Sequence, residues 1–309
     1  MGNAPVRRRW LKSALHMDTV VNMTVLSSRP ESEVMAQLER AFHAFTTVER
    51  VCSRFDPESE LSQLSRQVGV PVPVSPLLFQ AIHFARWVAE STGGAFDPTV
   101  GRWLEGYGFN RNYLSRELAE SAVDPTQPVS YQDLLLDETE RSVLVARPLL
   151  IDLGAVAKGL AVDLAARELA FAEGFVIDAG GDIYAGGLNE QDEPWRIGIQ
   201  HPLRPDETVL TLHLTDTAVC TSGSYERPSP VKGGAHHLID PRSGRSQTGL
   251  VSCTVIAPFA MMADAVSTAA FVLGSEAGAA YLDDLELAGL LIEPSMALHY
   301  TKTMMRYLP

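Results

Sequence analysis

The sequence predicts an α+β protein in which helices pack on a mainly antiparallel sheet. Short segments that alternate apolar and polar residues, such as 195–200 and 209–214, are typical of half-buried antiparallel strands. Strands and helices seldom follow the strand–helix–strand order that builds a parallel sheet. The chain has 309 residues, of which 46% are hydrophobic, so it can bury a sizeable core.

The individual elements follow from periodicity and from end signals. Residues 1–16 show no periodicity, so we expect a flexible N-terminal tail there, followed by one domain over residues 17–309. A loop is expected at 95–110. Helices are expected where apolar residues recur every three or four positions or where proline and glycine mark the ends, at about 31–52, 76–92, 154–172, 261–274 and 276–285. Strands are expected at 20–26, 134–136, 143–146, 149–153, 175–177, 195–200, 209–214, 251–257, 288–292 and 297–305.

The composition excludes some classes of function. The 25 basic and 38 acidic residues give a net charge of −13, which disfavours general binding of nucleic acid or of anionic membranes. No apolar run is long enough to span a membrane, and the basic start at 7–9 precedes an apolar run too short for a signal peptide, so no membrane anchor is expected. Cys52, Cys220 and Cys253 fit neither a zinc site nor a disulfide framework, which favours free thiols in a reducing compartment, the cytoplasm.

The helix predicted at 261–274 carries oxygen atoms inside an otherwise apolar segment. Asp264, Ser267 and Thr268 stand at i, i+3 and i+4 and therefore share one helix face. A buried carboxylate is costly unless it is paired or bound to a metal, and oxygen ligands suit Mg²⁺. The alternative is an acidic residue near the positive helix end with two tolerated hydroxyls.

The segment 151–159 is predicted as a strand-to-helix junction. The free amides of the first helical turn can bind a phosphate, and Lys158 adds a positive charge. Asp152 stands where a helix cap belongs, and Lys158 also fits an ordinary solvated lysine, so a purely structural interpretation stays open. Neither a Walker A sequence nor a dinucleotide glycine fingerprint is present.

Two further motifs bear on the chemistry. Gly180-Gly181-Asp182 follows a predicted strand and fits a turn or a close approach to a ligand. His236 and His237 precede a polar loop without a third zinc ligand at a recognisable spacing. We expect His236 at the surface and His237 in a functional role, as a general base beside a phosphate.

Several spaced motifs together resemble the ApbE family, whose members are FAD:protein FMN transferases. The resemblance runs in order from about Met17 to Gly274. It implies an ApbE-like, T-fold-related single domain. The motifs are Ser53–Ser62, Gly94–Gly101, Asp152–Gly159, Gly180–Tyr184, Ser222-Gly223, His237–Gly244 and Ala263–Thr268.

The resemblance implies a ligand site and a metal site. It places Mg²⁺ on the backbone carbonyl of Ala155 and on Asp264, Ser267 and Thr268. The residues that it implies at the FAD site are Met17, Phe55, Ala95, Phe96, Asp97, Asp152, Lys158 and Ile239.

The chain departs from the family pattern at three of these places. Asp18 replaces a glycine after Met17 and adds bulk and charge near the expected flavin entrance. Phe55 lacks the hydroxyl of a tyrosine that is common there. Ser267 stands where a carboxylate is found, so weaker metal binding is expected.

The expected function is Mg²⁺-dependent transfer of FMN from FAD to a Ser or Thr hydroxyl of an acceptor flavoprotein, with release of AMP. His237, Lys158 and Asp264 are the expected catalytic residues. Two alternatives stay open: an FAD pyrophosphatase that uses water at the same site, and a non-catalytic flavin-binding protein.

Overall fold

The computed structural model describes residues 6–119, 121, 123–124 and 127–308. The helices are α1 (Glu31–Cys52), α2 (Glu60–Ser65), α3 (Pro76–Ser91), α4 (Gly101–Gly106), α5 (Gly154–Leu169), α6 (Ala260–Leu273) and α7 (Ser275–Asp284). The strands are β1 (Arg8–His16), β2 (Thr19–Ser27), β3 (Pro71–Pro73), β4 (Leu134–Asp137), β5 (Ser142–Val145), β6 (Gly174–Ala179), β7 (Asp182–Gly187), β8 (Trp195–His201), β9 (Arg204–Leu214), β10 (Thr217–Gly223), β11 (Ile239–Asp240), β12 (Arg245–Ser246), β13 (Ser252–Ala257), β14 (Ala288–Ile292) and β15 (Leu298–Tyr300). Short 3-10 helices occupy Tyr131–Asp133 and Lys302–Tyr307.

The principal sheet has eight strands in the order β1-β2-β6-β7-β10-β13-β14-β15, and every neighbouring pair is antiparallel. The long helices α1, α5 and α6 cover one face of this sheet, where Phe45, Ile177 and Phe271 belong to the main apolar core. The β8–β9 hairpin and the C-terminal 3-10 helix cover the other face through a second cluster that includes Trp195 and Met304.

Several predicted elements have the expected bounds. The helix at 31–52 and the strand at 288–292 coincide with α1 and β14. The side chain of Ser75 accepts a hydrogen bond from the Leu78 amide and so caps α3, whose first residue is Pro76.

The N-terminal prediction is wrong for Arg8–His16, which form β1 instead of a flexible tail; residues 1–5 lie outside the described residues. Nine residue pairs join β1 to β2. The strand lies at the sheet edge and has only partly buried side chains on its inner face, among them Trp10 and Ala14, so its sequence shows little apolar periodicity.

Three other local predictions are corrected. The segment 149–153 is not a strand. Leu149, Ile151 and Leu153 are buried in alternation because the segment is extended and packs beside the loop after α3. The Asp152 amide donates to the Pro98 carbonyl of that loop at 2.7 Å. The segment 95–110 is not all loop, because it contains α4. The strand expected at 297–305 is shorter, because β15 ends at Tyr300 and a 3-10 helix begins at Lys302.

Candidate active site

Helices α5 and α6 approach each other at Gly159. A Cβ at this position would stand 2.4 Å from the carbonyl oxygen of Ala260, so only glycine fits without moving a helix. One turn later on α5, the Asp163 carboxylate accepts hydrogen bonds from the amides of Ala260 and Met261, at 2.6 and 2.9 Å. Phe259 has no capping side chain of its own, so Asp163 satisfies the N-terminus of α6 from the neighbouring helix. These contacts fix the two helices that carry the predicted site.

Lys158 and Asp264 are brought together, and Asp182 joins them. The Lys158 ammonium forms an ion pair with Asp182, whose side chain is only 2% exposed. Asp264 is buried, and its Oδ2 accepts a hydrogen bond from the Gly159 amide at 3.1 Å. Burial and the nearby Asp182 raise the pKa of Asp264 to about 8. Burial alone would lower the pKa of Lys158, but Asp182 and Asp264 outweigh it and hold that pKa above its usual range.

The hydroxyl groups of the α6 face meet a hydroxyl from β10. Ser222 Oγ lies 2.9 Å from Ser267 Oγ and 3.0 Å from Thr268 Oγ1. Ser267 is fully buried and also donates to the carbonyl of Asp264 at 2.9 Å, whereas Thr268 is partly exposed. The predicted shared face of Asp264, Ser267 and Thr268 is therefore present.

These oxygens fit a hard cation. In a regular α-helix the Gly159 amide donates to the Ala155 carbonyl. Here the same amide also donates to Asp264, so the Ala155 carbonyl oxygen can still accept a further contact, next to the buried carboxylate of Asp264. Among the described residues, no three histidine, cysteine or carboxylate side chains converge to hold a metal. One carboxylate with neutral oxygens suits Mg²⁺, which commonly takes its remaining ligands from water and substrate phosphates.

His237 lies in the loop after β10 with its ring against Phe109, 6.2 Å between ring centres. Its Nδ1 is buried and has no hydrogen-bond partner within the described part of the chain. Burial, followed by the positive charge of Arg227, lowers the pKa of His237 to about 3. The imidazole is therefore neutral at physiological pH and able to accept a proton.

His236 was expected at the surface, and that prediction is wrong. Its side chain is buried, its Nε2 lies 2.7 Å from the Gln247 carbonyl, and its Nδ1 accepts from the Leu238 amide at 3.2 Å. The ring packs edge-on against Phe271. Both nitrogens hold the loop in place, which is a structural role.

The buried Arg54 and the partly buried Asp152 form an ion pair at the start of α5. Asp152 Oδ1 accepts from the Gly154 amide at 2.8 Å, and its other oxygen pairs with Arg54. Arg54 also donates to the carbonyl of Phe109 and lies 4.1 Å from the centre of the Phe55 ring. The chain of contacts Asp152–Arg54–Phe109–His237 thus links the start of α5 to the histidine loop.

Met17 and Phe55 lie near the loop that follows α4. Met17 and Asp18 form the β1–β2 turn with positive φ, 50° and 62°. Tyr113 contacts the backbone of this turn, and burial together with Glu49 raises its pKa. Asn112 donates to the Phe55 carbonyl at 3.4 Å.

The remaining predicted FAD residues are interior. Ala95, Phe96, Asp97 and Ile239 are all buried. Asp97 accepts hydrogen bonds from Thr99 and from the Tyr131 amide, the latter at 2.9 Å, so its carboxylate holds the loop after α3. Burial raises the pKa of Asp97 in spite of these donors.

Sequence reasoning missed four residues of this region: Arg54, Asp182, Cys220 and Arg227. Asp182 was noticed only as part of a turn, although a carboxylate after a double glycine was a usable signal. Cys220 lies fully buried near Asp182 and Asp264, and burial raises the pKa of its thiol well above the usual range. A surface cleft of about 510 Å³ beside Asp163 and Phe259 contains none of the predicted site residues.

The fold and this site define the class: the chain belongs to the ApbE family, whose sequence pattern it matches over residues 17–291. It is 33% identical over 304 residues to the FAD:protein FMN transferase of Treponema pallidum, covering 91% of this chain and 83% of that protein. Its identity with the Haemophilus influenzae protein of the same name is 29%, with coverage of 88% and 80%.

Solved structures agree with this assignment. The ApbE protein of Thermotoga maritima superposes with a TM-score of 0.85 at 31% identity, covering 98% of this chain and all of that one. The flavin transferase ApbE of Vibrio cholerae gives a TM-score of 0.84 at 25% identity, with 98% and 100% coverage. The predicted family and α+β fold class are therefore confirmed.

Proposed function

We propose that this chain is an FAD:protein FMN transferase that moves FMN from FAD onto a Ser or Thr hydroxyl of an acceptor flavoprotein and releases AMP. The observation that carries the proposal is the buried cluster of Lys158, Asp182 and Asp264 at the contact of α5 and α6, in a chain that matches the family over residues 17–291. The neutral His237 lies near enough for the charge of Lys158 to act on its pKa. Named relatives with this activity support it.

Mg²⁺ is the metal that the donor set favours, and Asp264, Thr268 and the Ala155 carbonyl would hold it. Ser267 is the weakest of the proposed ligands, because its hydroxyl already bonds Ser222 and a helix carbonyl. When bound, the ion offsets negative charge on the diphosphate of FAD.

The side chains then divide the reaction between them. His237 accepts the proton of the acceptor hydroxyl, whose oxygen attacks the FMN phosphorus. A new phosphoester bond forms, the bond to the AMP phosphate breaks, and AMP takes the electron pair. Lys158 stays positively charged next to Asp182 and stabilises the negative charge on the phosphates of FAD. A bound diphosphate raises the proton affinity of His237, which brings this base closer to a useful pKa.

The predicted FAD residues take two roles in this proposal. Met17, Phe55 and Ile239 line the flavin end, and Lys158 faces the phosphates. Asp152 and Asp97 act on the site by fixing the α5 start and the loop that bears Ala95 and Phe96, because their carboxylates are engaged within the protein.

The proposed partner is an acceptor protein, and the proposed compartment is the cytoplasm. The free, buried cysteines Cys52, Cys220 and Cys253 support a reducing environment. None of the described helices combines the length and apolarity needed to cross a bilayer.

The test is covalent labelling of an acceptor. The chain is incubated with FAD, Mg²⁺ and an extract of its source cells, and the products are separated under denaturing conditions. Flavin fluorescence on a protein band together with free AMP is the expected result, and chelation of Mg²⁺ should remove both. AMP with free FMN and no labelled protein would instead identify an FAD pyrophosphatase, and no AMP at all a flavin-binding protein.

A further inference from the structure

Three hydroxyl groups form a short chain between β10 and the face of α6 that bears Asp264. Ser222 Oγ lies 2.9 Å from Ser267 Oγ and 3.0 Å from Thr268 Oγ1. The inner end of the chain reaches the helix backbone, because Ser267 Oγ lies 2.9 Å from the Asp264 carbonyl. Ser222 and Ser267 are buried, whereas Thr268 is partly exposed, so the Thr268 end is the one open to a ligand.

The direction of these hydrogen bonds follows from the number of protons. Each hydroxyl carries one proton, and a carbonyl oxygen only accepts, so Ser267 donates to the Asp264 carbonyl. Ser267 is then the acceptor in its contact with Ser222, which uses the single proton of Ser222. The contact between Ser222 and Thr268 still needs a donor, and that donor is Thr268. The donation therefore runs from Thr268 through Ser222 and Ser267 to the backbone.

This direction decides what the Thr268 oxygen presents to a ligand. Because its proton points at Ser222, the lone pairs of Oγ1 remain available to a cation. A hydroxyl that coordinates a cation also becomes a stronger donor, and a chain that ends on a carbonyl accepts that proton well. Groups that orient a metal ligand in this way commonly contribute to affinity without touching the metal.

We propose that Ser222 is a positioning residue for the cation site: it accepts the proton of Thr268 and so leaves the Thr268 oxygen presented to the ion. The inference rests on the proposed function, in which Asp264 and Thr268 would hold Mg²⁺. Ser267 anchors the chain to the helix backbone, a role that does not require it to contact the ion.

The test measures cation binding without turnover. The purified chain is titrated with Mg²⁺ alone by isothermal titration calorimetry, and its melting temperature is measured without Mg²⁺. Ser222→Ala should weaken Mg²⁺ binding roughly 10- to 100-fold, the usual effect of removing a group that orients a metal ligand. Thr221→Ala is the matched control, because it removes a hydroxyl of the same strand that pairs with Thr254 at 2.8 Å and points to the opposite face of the sheet. It should leave the Mg²⁺ affinity unchanged.

A double variant tests the direction of the chain. Ser222 and Ser267 belong to one chain, so Ser222→Ala combined with Ser267→Ala should bind Mg²⁺ about as well as Ser222→Ala alone. A further loss equal to that of Ser267→Ala by itself would show that Ser267 contacts the ion, which contradicts the direction inferred above.

The outcomes separate the inference from the proposed function. Unchanged Mg²⁺ affinity in Ser222→Ala, whatever its melting temperature, overturns the inference while the proposed function stands. An equal loss of affinity in Thr221→Ala also overturns it, because the effect would then come from a weakened strand. Absence of Mg²⁺ binding by the wild type removes the inference together with the Mg²⁺ dependence of the proposed function.

Discussion

His236 and His237 are adjacent in the chain but have different surroundings. His236 holds its loop through Gln247 and Leu238, whereas His237 Nδ1 has no hydrogen-bond partner among the described residues, and the charge of Lys158 contributes to its lowered pKa. A histidine pair in a sequence does not show which ring is engaged, because the partners of both rings come from distant segments. The sequence led us to expect a functional role for His237, but the structural role of His236 is visible only in the fold.

His237→Ala tests the general base. The variant should lose roughly 10²- to 10⁴-fold in kcat for FMN transfer, the usual contribution of a general base, with FAD affinity retained. The measurement is steady-state transfer with a separate FAD titration. His236→Ala is the contrasting variant: it should lower stability by about 1–3 kcal/mol through lost hydrogen bonds. An unchanged rate in His237→Ala removes this residue from the mechanism.

Lys158, Asp264 and Thr268 were predicted from the sequence because their types and helical spacing carry the signal. Asp182 and Arg54 were not assigned, since each acquires its role only from a long-range partner, Lys158 and Asp152. For the same reason the sequence did not separate an Asp152 that contacts FAD from one that caps α5.

At the level of elements, the close contact of α5 with α6 determines where Asp264 lies. Gly159→Ala should destabilise the chain by about 1–3 kcal/mol, as overpacked sites do, because the new methyl group meets the backbone of Ala260 and Met261. Transfer activity should fall as the helices separate. Gly106→Ala is the control, since a Cβ there meets nothing within 4 Å. Urea denaturation measures both variants, and equal stability of the two would refute the proposed packing constraint.

The contact between α5 and α6 depends on pH through the Asp163 carboxylate, which binds the first amides of α6. Burial raises its pKa to about 6, although the amides of Met261 and Ala260 favour the charged form. An acid with a higher pKa in the folded state binds more protons when folded, so its contribution to stability falls as pH rises from about 4 to about 6.

Asp163→Asn removes this titration. The difference in unfolding free energy between wild type and variant should therefore shrink as pH rises through that window, and urea denaturation at a series of pH values measures it. A difference that stays constant or grows with pH would contradict the assignment.

The edge strand β1 offers a test of the corrected N-terminus. Trp10 packs against the helical core, whereas Leu11 is 68% exposed on the other face. Trp10→Ser should lower the melting temperature, and Leu11→Ser should change it little, because only the first removes buried apolar area. If both variants melt like the wild type, the pairing of β1 contributes nothing to stability.

Helices were predicted better than strands for a physical reason. α1 and α3 repeat their apolar positions over several turns and carry proline signals, whereas β7 and β10 are short and contain glycine or hydroxyl residues that also suit turns. The strand at 149–153 was wrong because alternating burial also arises in an extended segment without a ladder partner.

At the scale of the whole molecule, the site depends on a sheet order that sequence reasoning did not produce. Strand β2 lies between β1 and β6, and β7 pairs with β10, so residues far apart in the chain become neighbours. Composition and alternation predict helices on antiparallel sheet. They do not rank the many ways of ordering eight strands, which long-range packing decides.

The central claim is that the oxygen face of α6 beside Lys158 activates the diphosphate of FAD. Its most direct test is AMP release and covalent flavin labelling by Asp264→Ala and wild type over a range of Mg²⁺ concentrations. We expect Mg²⁺-dependent activity in the wild type and its loss in the variant, with the fold retained as judged by circular dichroism. Full activity of folded Asp264→Ala at the same Mg²⁺ concentrations would contradict the claim.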